Sequence, residues 1–222
     1  MNINDSKDDL EKDMGIYQYG SEDAETVLIQ MVDDHDMEVI ENEVKCIREL
    51  AGTDFRLIAI KVQDWNRDLS PWEADPVFGN EPFGCGAKAS LDEVLKRCTD
   101  RGKTYYIGGY SLAGLFALWA AYQTDIFKGV AAASPSMWFP GFVDYMKEHQ
   151  IHCDSVYLSL GDKEAKTKNP VMSTVRRRID ESESVLLEQG IDVSFEENPG
   201  NHFKEPDIRT AKAFAYVIGH RK

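Results

Sequence analysis

Gly109-Tyr110-Ser111-Leu112-Ala113 sets a serine between two small residues, at the joint of two unlike runs. The run 104–108 is β-branched and aromatic, suited to a buried strand. The run 112–121 is rich in Ala and Leu and free of proline, suited to a buried helix. Only a very sharp turn fits between them. Small residues two before and two after Ser111 let strand and helix pack closely, so the turn pushes Oγ into the open. The N–H of Leu112 is then left at a helix N-terminus, where it can hold a developing oxyanion. A serine hydroxyl is a weak nucleophile until an imidazole nitrogen takes its proton, and the imidazolium that forms needs a carboxylate beside it. Downstream, Gly161-Asp162-Lys163-Glu164 carries two carboxylates, and Asn198-Pro199-Gly200-Asn201-His202-Phe203 carries a histidine. Of the five histidines, only His202 sits in a Gly-flanked loop directly after a strand-like run and before a helix. His149 and His152 fall at a helix end and His220 near the terminus, and all three read as exposed structural residues.

The elements that must position these residues follow from periodicity. Strands are expected over 26–31, 55–62, 104–108, 128–133, 155–160 and 191–196, with a short edge strand over 14–19. Helices are expected between them. One carries Ile40, Val44, Ile47 and Ala51 on one face and is closed by Gly52; another runs over 87–98. After the helix that follows Ser111 come a short one over 142–148 and a long one from Pro170 to Gln189, with Met172, Val175, Ile179 and Leu186 on one face. The last, over 206–218, shows Ile208, Ala211, Ala215 and Ile218 as its stripe. Residues 63–84 read as a long polar loop. Strands alternating with helices predict a parallel sheet covered on both faces. Ligands of such a sheet bind beyond the carboxyl ends of the strands, so the loops after 31, 108, 160 and 196 should meet in space.

The pentapeptide around Ser111 resembles the nucleophile elbow of the α/β-hydrolases, G-x-S-x-G, with Ala113 in the last place. Serine, acid and histidine also follow the chain order of that family. Within it, residues 65–72 are partly similar to the R-x-x-D-aromatic-T-P stretch of the branch that includes esterase D-like and siderophore esterases. Arg67, Asp68, Ser70 and Pro71 are present, and Leu69 stands where an aromatic is common. Gly161-x-x-Glu164 and Gly200-x-His202-Phe203 are similar to that branch too. The resemblance implies an α/β-hydrolase fold of about six mainly parallel strands without a separate lid domain. It also implies hydrolysis of a small-molecule carboxylic ester, or a related acyl bond, through an acyl-enzyme. Glu164 lies three residues past Gly161, the spacing at which the family's acid is commonly found, and Asp162 is the alternative. In this fold a second oxyanion donor comes from the loop after the first clear strand, which makes the N–H of Val32 or Asp33 the candidate. No cofactor and no metal is implied. Two other readings share these residues. One is acyl transfer, or thioester or amide cleavage, on the same triad; the other is a non-catalytic binding domain, which Ala113 leaves open.

Composition narrows the field further. At 222 residues with 42% apolar content the chain can bury a substantial core. Residues 1–13 are polar and acidic and read as a flexible tail before a single domain over 14–222. A net charge of −14 argues against nucleic acid or an anionic membrane as partner. No apolar run reaches the length of a membrane span and no basic-then-apolar leader is visible, so a cytoplasmic protein with four free thiols is expected. Asp33-Asp34-His35-Asp36 looks like a metal cluster, but consecutive side chains rarely converge on one ion, and a helix cap by Asp34 or Asp36 is the expectation. Trp65, Arg67, Trp72 and Trp138, with Phe78 and Phe83, lie in loops on the active side of the sheet. The aromatics either wall a substrate pocket or staple the loop 63–84 to the domain.

Overall fold

Strand β2 (Thr26–Val32) shows how the sheet is built. All seven of its residues are buried. Val27, Ile29 and Met31 enter one apolar cluster, and Leu28 and Val32 enter another. A strand apolar on both sides has to lie inside a sheet that is covered on both. The computed structural model describes residues 15–219. The acidic tail expected over 1–13, the first residue of the expected edge strand and His220 lie outside the described residues.

Around β2, strands β1 (Gly15–Gly20), β3 (Arg56–Lys61), β4 (Thr104–Tyr110), β5 (Phe127–Ala133), β6 (Ser155–Gly161) and β7 (Asp192–Asn198) complete one sheet, in the order β1-β3-β2-β4-β5-β6-β7. Six strands are parallel, and β1 runs antiparallel on the edge beside β3. The six expected parallel strands are therefore present, and the edge strand makes seven. The chain steps from β2 to β3 on one side and later returns to place β4 on the other. The order reverses there, so a crevice opens between the carboxyl ends of β2 and β4.

Helices α1 (Asp34–Ala51) and α7 (Pro206–Gly219) cover one face of the sheet. On the other lie α3 (Ala87–Leu95), α4 (Leu112–Gln123), α5 (Phe142–Glu148) and α6 (Val175–Glu188). Every residue of α4 from Leu112 to Tyr122 is buried, as suits the central helix of a covered sheet. Its Leu115, Phe116 and Leu118 are fully enclosed, each contributing about 1.5–3 kcal/mol of burial. Among the described residues no helix is long and apolar enough to cross a membrane.

Three expectations are corrected. The helix after β2 is capped by Asp33, not by Asp34 or Asp36. Asp33 accepts from the Asp36 N–H at 2.9 Å, and the Asp36 carboxylate accepts from the Asp33 N–H at 3.1 Å. A reciprocal cap of this kind satisfies two helix-terminal donors at once. The loop 63–84 is not featureless. It holds a short helix α2 (Trp65–Asp68), whose N-cap is Asp64, and an antiparallel bridge between Ala74 and Phe83. Finally, the buried face of α7 is Thr210, Ala211, Ala213, Phe214, Val217 and Ile218 together with Arg209, while Ile208 and Ala215 are only half-buried. Phe214 and Val217 bring more apolar surface to the sheet than the expected stripe does, and the helix turns to bury them.

Candidate active site

Ser111 follows the last residue of β4 and is the N-cap of α4, with φ 57° and ψ −120°. A non-glycine residue held there costs about 1–3 kcal/mol and persists only where its surroundings enforce it. The Ser111 N–H donates to the Ala133 carbonyl at 3.1 Å, and its own carbonyl accepts from Leu115 at 3.2 Å and Ser136 at 3.0 Å. The turn is tight. A Cβ on Gly109 would lie 2.7 Å from the Ala113 Cβ, and one on Gly114 would lie 2.9 Å from the Gly109 carbonyl oxygen. The methyl of Ala113 is thus accommodated because Gly109 has none, and Gly114 supplies the close helix–strand approach. Leu112 opens α4, so its N–H is among those a helix leaves without an intrahelical acceptor.

Of the four loops expected to converge, those after β4, β6 and β7 do so. His202 Nε2 lies 3.0 Å from Ser111 Oγ, and His202 Nδ1 lies 2.7 Å from Glu164 Oε2. The Glu164 side chain is 5% exposed and that of His202 25%. The second Glu164 oxygen accepts from the Gly161 N–H at 2.6 Å, the Ser134 hydroxyl at 2.9 Å and Arg209 Nη1 at 3.0 Å. Burial by itself would raise this carboxyl. The His202 ring, the Gly161 N–H and the Ser134 hydroxyl outweigh burial and hold it below the usual glutamate range. Asp162 faces solvent and accepts from the Gly200 N–H at 2.6 Å; that bond, with Lys166 and Lys163 nearby, lowers its carboxyl. Of the two candidate acids, then, Glu164 touches the histidine and Asp162 braces the histidine's loop.

The oxyanion donors expected after β2 are not offered to the serine. The Asp33 N–H is committed to Asp36, and Val32 is paired with Lys61 in the sheet, its carbonyl accepting from Val62 at 3.1 Å. The cap that α1 needs takes the donor. Burial, with Asp33 close by, pushes the Asp36 carboxyl up to about 7.

The expected substrate-binding residues divide. Trp72 donates through Nε1 to the Pro140 carbonyl at 2.9 Å and packs against Phe139, Phe142 and Tyr145. Arg67 holds Asp68 through Nε at 2.8 Å, with Gly84 and Gly86 packed close against its turn. Trp65 is half-buried on the core. None of these contacts reaches the triad; Trp72 fastens loop 63–84 to the segment 139–145, and Arg67 braces the loop from within. Trp138 is buried among Phe78 and Phe83, yet it stands two residues after Ser136, whose Oγ lies 3.2 Å from that of Ser111.

Sequence reasoning missed Arg209, Ser134, Ser136 and Tyr110. Tyr110, inside the recognised pentapeptide, donates to the His202 carbonyl at 2.7 Å and lays its ring 5.1 Å from the imidazole; burial pushes its hydroxyl up to about 12. Ser134 and Ser136 flank Pro135 directly after β5, a position the strand pattern did mark. Ser134 has φ 43°, a second strained residue beside the first. Phe203, next to His202, is 86% exposed with its ring edge-on to the imidazole at 5.6 Å. A broad concavity of about 690 Å³ lies at the opposite end of the strands, lined by residues such as Cys98, Lys128 and His152, and contains none of these groups. Among the described residues no group of three or more His, Cys, Asp or Glu side chains is placed to hold a metal ion.

No protein-family model matches the chain, and no curated protein matches it. Solved structures do. The siderophore hydrolase EstA from Aspergillus nidulans is 17% identical with a TM-score of 0.65, covering 94% of this chain and 95% of that one. An IroE-like serine hydrolase from Shewanella oneidensis is 13% identical with a TM-score of 0.71, covering 91% and 75%. The enterobactin hydrolase IroE, in complex with DFP, is 15% identical with a TM-score of 0.61, covering 87% and 82%. At these identities the likeness is one of fold, and the chain has the α/β-hydrolase fold.

Proposed function

We propose that the protein is a single-domain serine esterase that cleaves a small-molecule carboxylic ester through Ser111, His202 and Glu164. The observation that carries this reading is the unbroken line from Ser111 Oγ through both ring nitrogens of His202 to Glu164, at 3.0 and 2.7 Å. Its neighbours in fold include proteins named as siderophore and enterobactin hydrolases. The four free cysteines are in keeping with the cytoplasm.

His202 Nε2 takes the proton as Ser111 Oγ attacks the acyl carbon, while Glu164 holds the Nδ1 proton and stabilises the imidazolium. The carbonyl oxygen becomes an oxyanion facing the Leu112 N–H at the start of α4, where unpaired donors and the helix dipole favour negative charge. The tetrahedral species collapses when His202 returns its proton to the leaving alkoxide oxygen. Water, deprotonated by the same nitrogen, then attacks the acyl-Ser111, and the acid is released. The substrate's apolar part meets Phe203 on the histidine side and Trp138 on the side of Ser136.

Labelling with a fluorophosphonate probe tests the reading, because only an activated serine reacts. Stoichiometric modification at Ser111, lost in His202→Ala, is the expected result. An unreactive wild-type protein would make this a binding domain instead.

A further inference from the structure

We propose that Arg209 is a positioning residue, a single buried guanidinium that sets the distance between the Glu164 carboxylate and the His202 ring by gripping the loops that carry both. The inference rests on the triad reading above.

Arg209 lies on α7 with its side chain 2% exposed. An arginine so enclosed must have its donors satisfied and its charge balanced, or it destabilises the fold by several kcal/mol. Nη1 reaches Glu164 Oε1 at 3.0 Å, the Tyr110 hydroxyl at 3.1 Å and Ser134 Oγ at 3.2 Å. Nη2 reaches the carbonyls of Pro199 and Asn201 at 3.3 and 3.2 Å. Those acceptors belong to the ends of β4, β5, β6 and β7 or the loops just beyond them. One planar group therefore touches each of the segments that position the triad.

The geometry separates this role from ordinary support. Gly161 and Ser134 also hold the inner oxygen of Glu164; Gly161 meets the histidine loop only through backbone, pairing with Asn198 and packing against the Gly200 carbonyl, and neither residue binds the carbonyls on both sides of Gly200. On the solvent side, Asp162 and the Lys163 N–H tie the two loops together through Gly200. On the buried side Arg209 does so, binding the carboxylate with one nitrogen and the loop's carbonyls on both sides of Gly200 with the other. Tyr110 extends the grip, accepting from Arg209 and donating to the carbonyl of His202 itself. The guanidinium is rigid and forked, so the two ends cannot drift independently. Glu164 Oε2 is thereby kept pointing at Nδ1, which keeps the Nε2 lone pair on Ser111.

The test is coupling, since a merely structural loss would lower turnover by the same factor whether or not the acid is present. On a soluble p-nitrophenyl ester, Arg209→Ala should lower kcat on the order of 10²-fold, the cost of a small misplacement, with KM little changed. In a Glu164→Gln background the same change should cost little more. Added methylguanidinium should restore kcat in Arg209→Ala and leave the double variant unmoved. Tyr110→Phe keeps the buried ring and supplies a second route should Arg209→Ala not fold; its several-fold loss should likewise vanish beside Glu164→Gln. Equal losses in both backgrounds, or a raised KM at unchanged kcat, would overturn the proposal. A Ser111→Ala variant that still turns over would instead sink the triad reading.

Discussion

Two buried glutamates pack beside the same sheet, and their carboxyls are shifted in opposite directions. Glu164, after β6, is surrounded by three donors and a guanidinium, and its carboxyl is held low. Glu43, on α1, faces Gln30 of β2 and accepts one weak bond from its Nε2 at 3.3 Å. The second oxygen of Glu43 and the Gln30 carbonyl oxygen have no hydrogen-bond partner. Burial, helped by the charge of Asp36 and opposed by the Gln30 bond, raises the Glu43 carboxyl well above the ordinary range. Burial is common to the two sites, and the donor set decides the charge. The end of the sheet beyond β4, β6 and β7 favours the ionised form of a carboxyl, and the α1 face favours the protonated form.

The largest effect expected is at the ionised site. Ser111→Ala and His202→Ala should each remove on the order of 10⁶ of kcat, and the double variant should lose little beyond either. Steady-state turnover of an activated ester measures this, and retention of near-normal rate by either variant would break the comparison outright. Next comes the acid. Glu164→Gln should cost about 10⁴ in kcat by losing the tautomer and the imidazolium partner, while Asp162→Asn should cost less than about tenfold because only a brace on the loop is weakened. The reverse order would move the ionised site to Asp162.

Stability against pH sharpens the contrast, since the two glutamates carry opposite signs. Glu164 titrates lower in the folded chain than in the unfolded one. Its contribution is present above the ordinary glutamate range and is lost as pH falls through the lowered value. Glu43 titrates higher when folded, so ionisation of the unfolded chain drains stability as pH rises above the ordinary range. Glu43→Gln removes that drain. Its unfolding free energy, measured in urea, should be close to wild type near pH 4 and should exceed it at pH 7 by about 1–2 kcal/mol. A gap that shrinks toward neutral pH would mean Glu43 is charged in the fold. The smallest effect is at the rim, where Phe203→Ala should raise KM for aryl or long-chain acyl esters a few-fold, as expected for loss of one aromatic contact, and leave acetyl esters alone.

The parts legible in the sequence are those whose chemistry is local. Ser111 is announced by two small neighbours in five residues, and His202 and Glu164 by the glycines that open their loops. The inner parallel strands were legible because they are largely apolar on both faces, and the edge strand β7 because Val193 and Phe195 alternate with polar residues. Arg209 was not, because its acceptors come from four segments as far away as Tyr110, and on a helix next to Ile208 and Asp207 it looks like any solvated charge. After β2 there is a subtler competition, in which the Asp33 N–H serves the start of α1.

The meeting of Gly109 with Ala113 links two positions that a sequence would present as independent. Between strand and helix there is space for one methyl group, and it is spent on the helix side. Placing a second on the strand side would wedge the turn open, and the hydroxyl at its tip would swing away from the imidazole although neither altered residue touches a substrate. A further change at the other position, returning Ala113 to glycine, would give the space back. The identity of either residue is therefore conditional on the other, and an Ala at the end of the pentapeptide is evidence of how the methyl was allotted between them, with no bearing on whether the serine is competent.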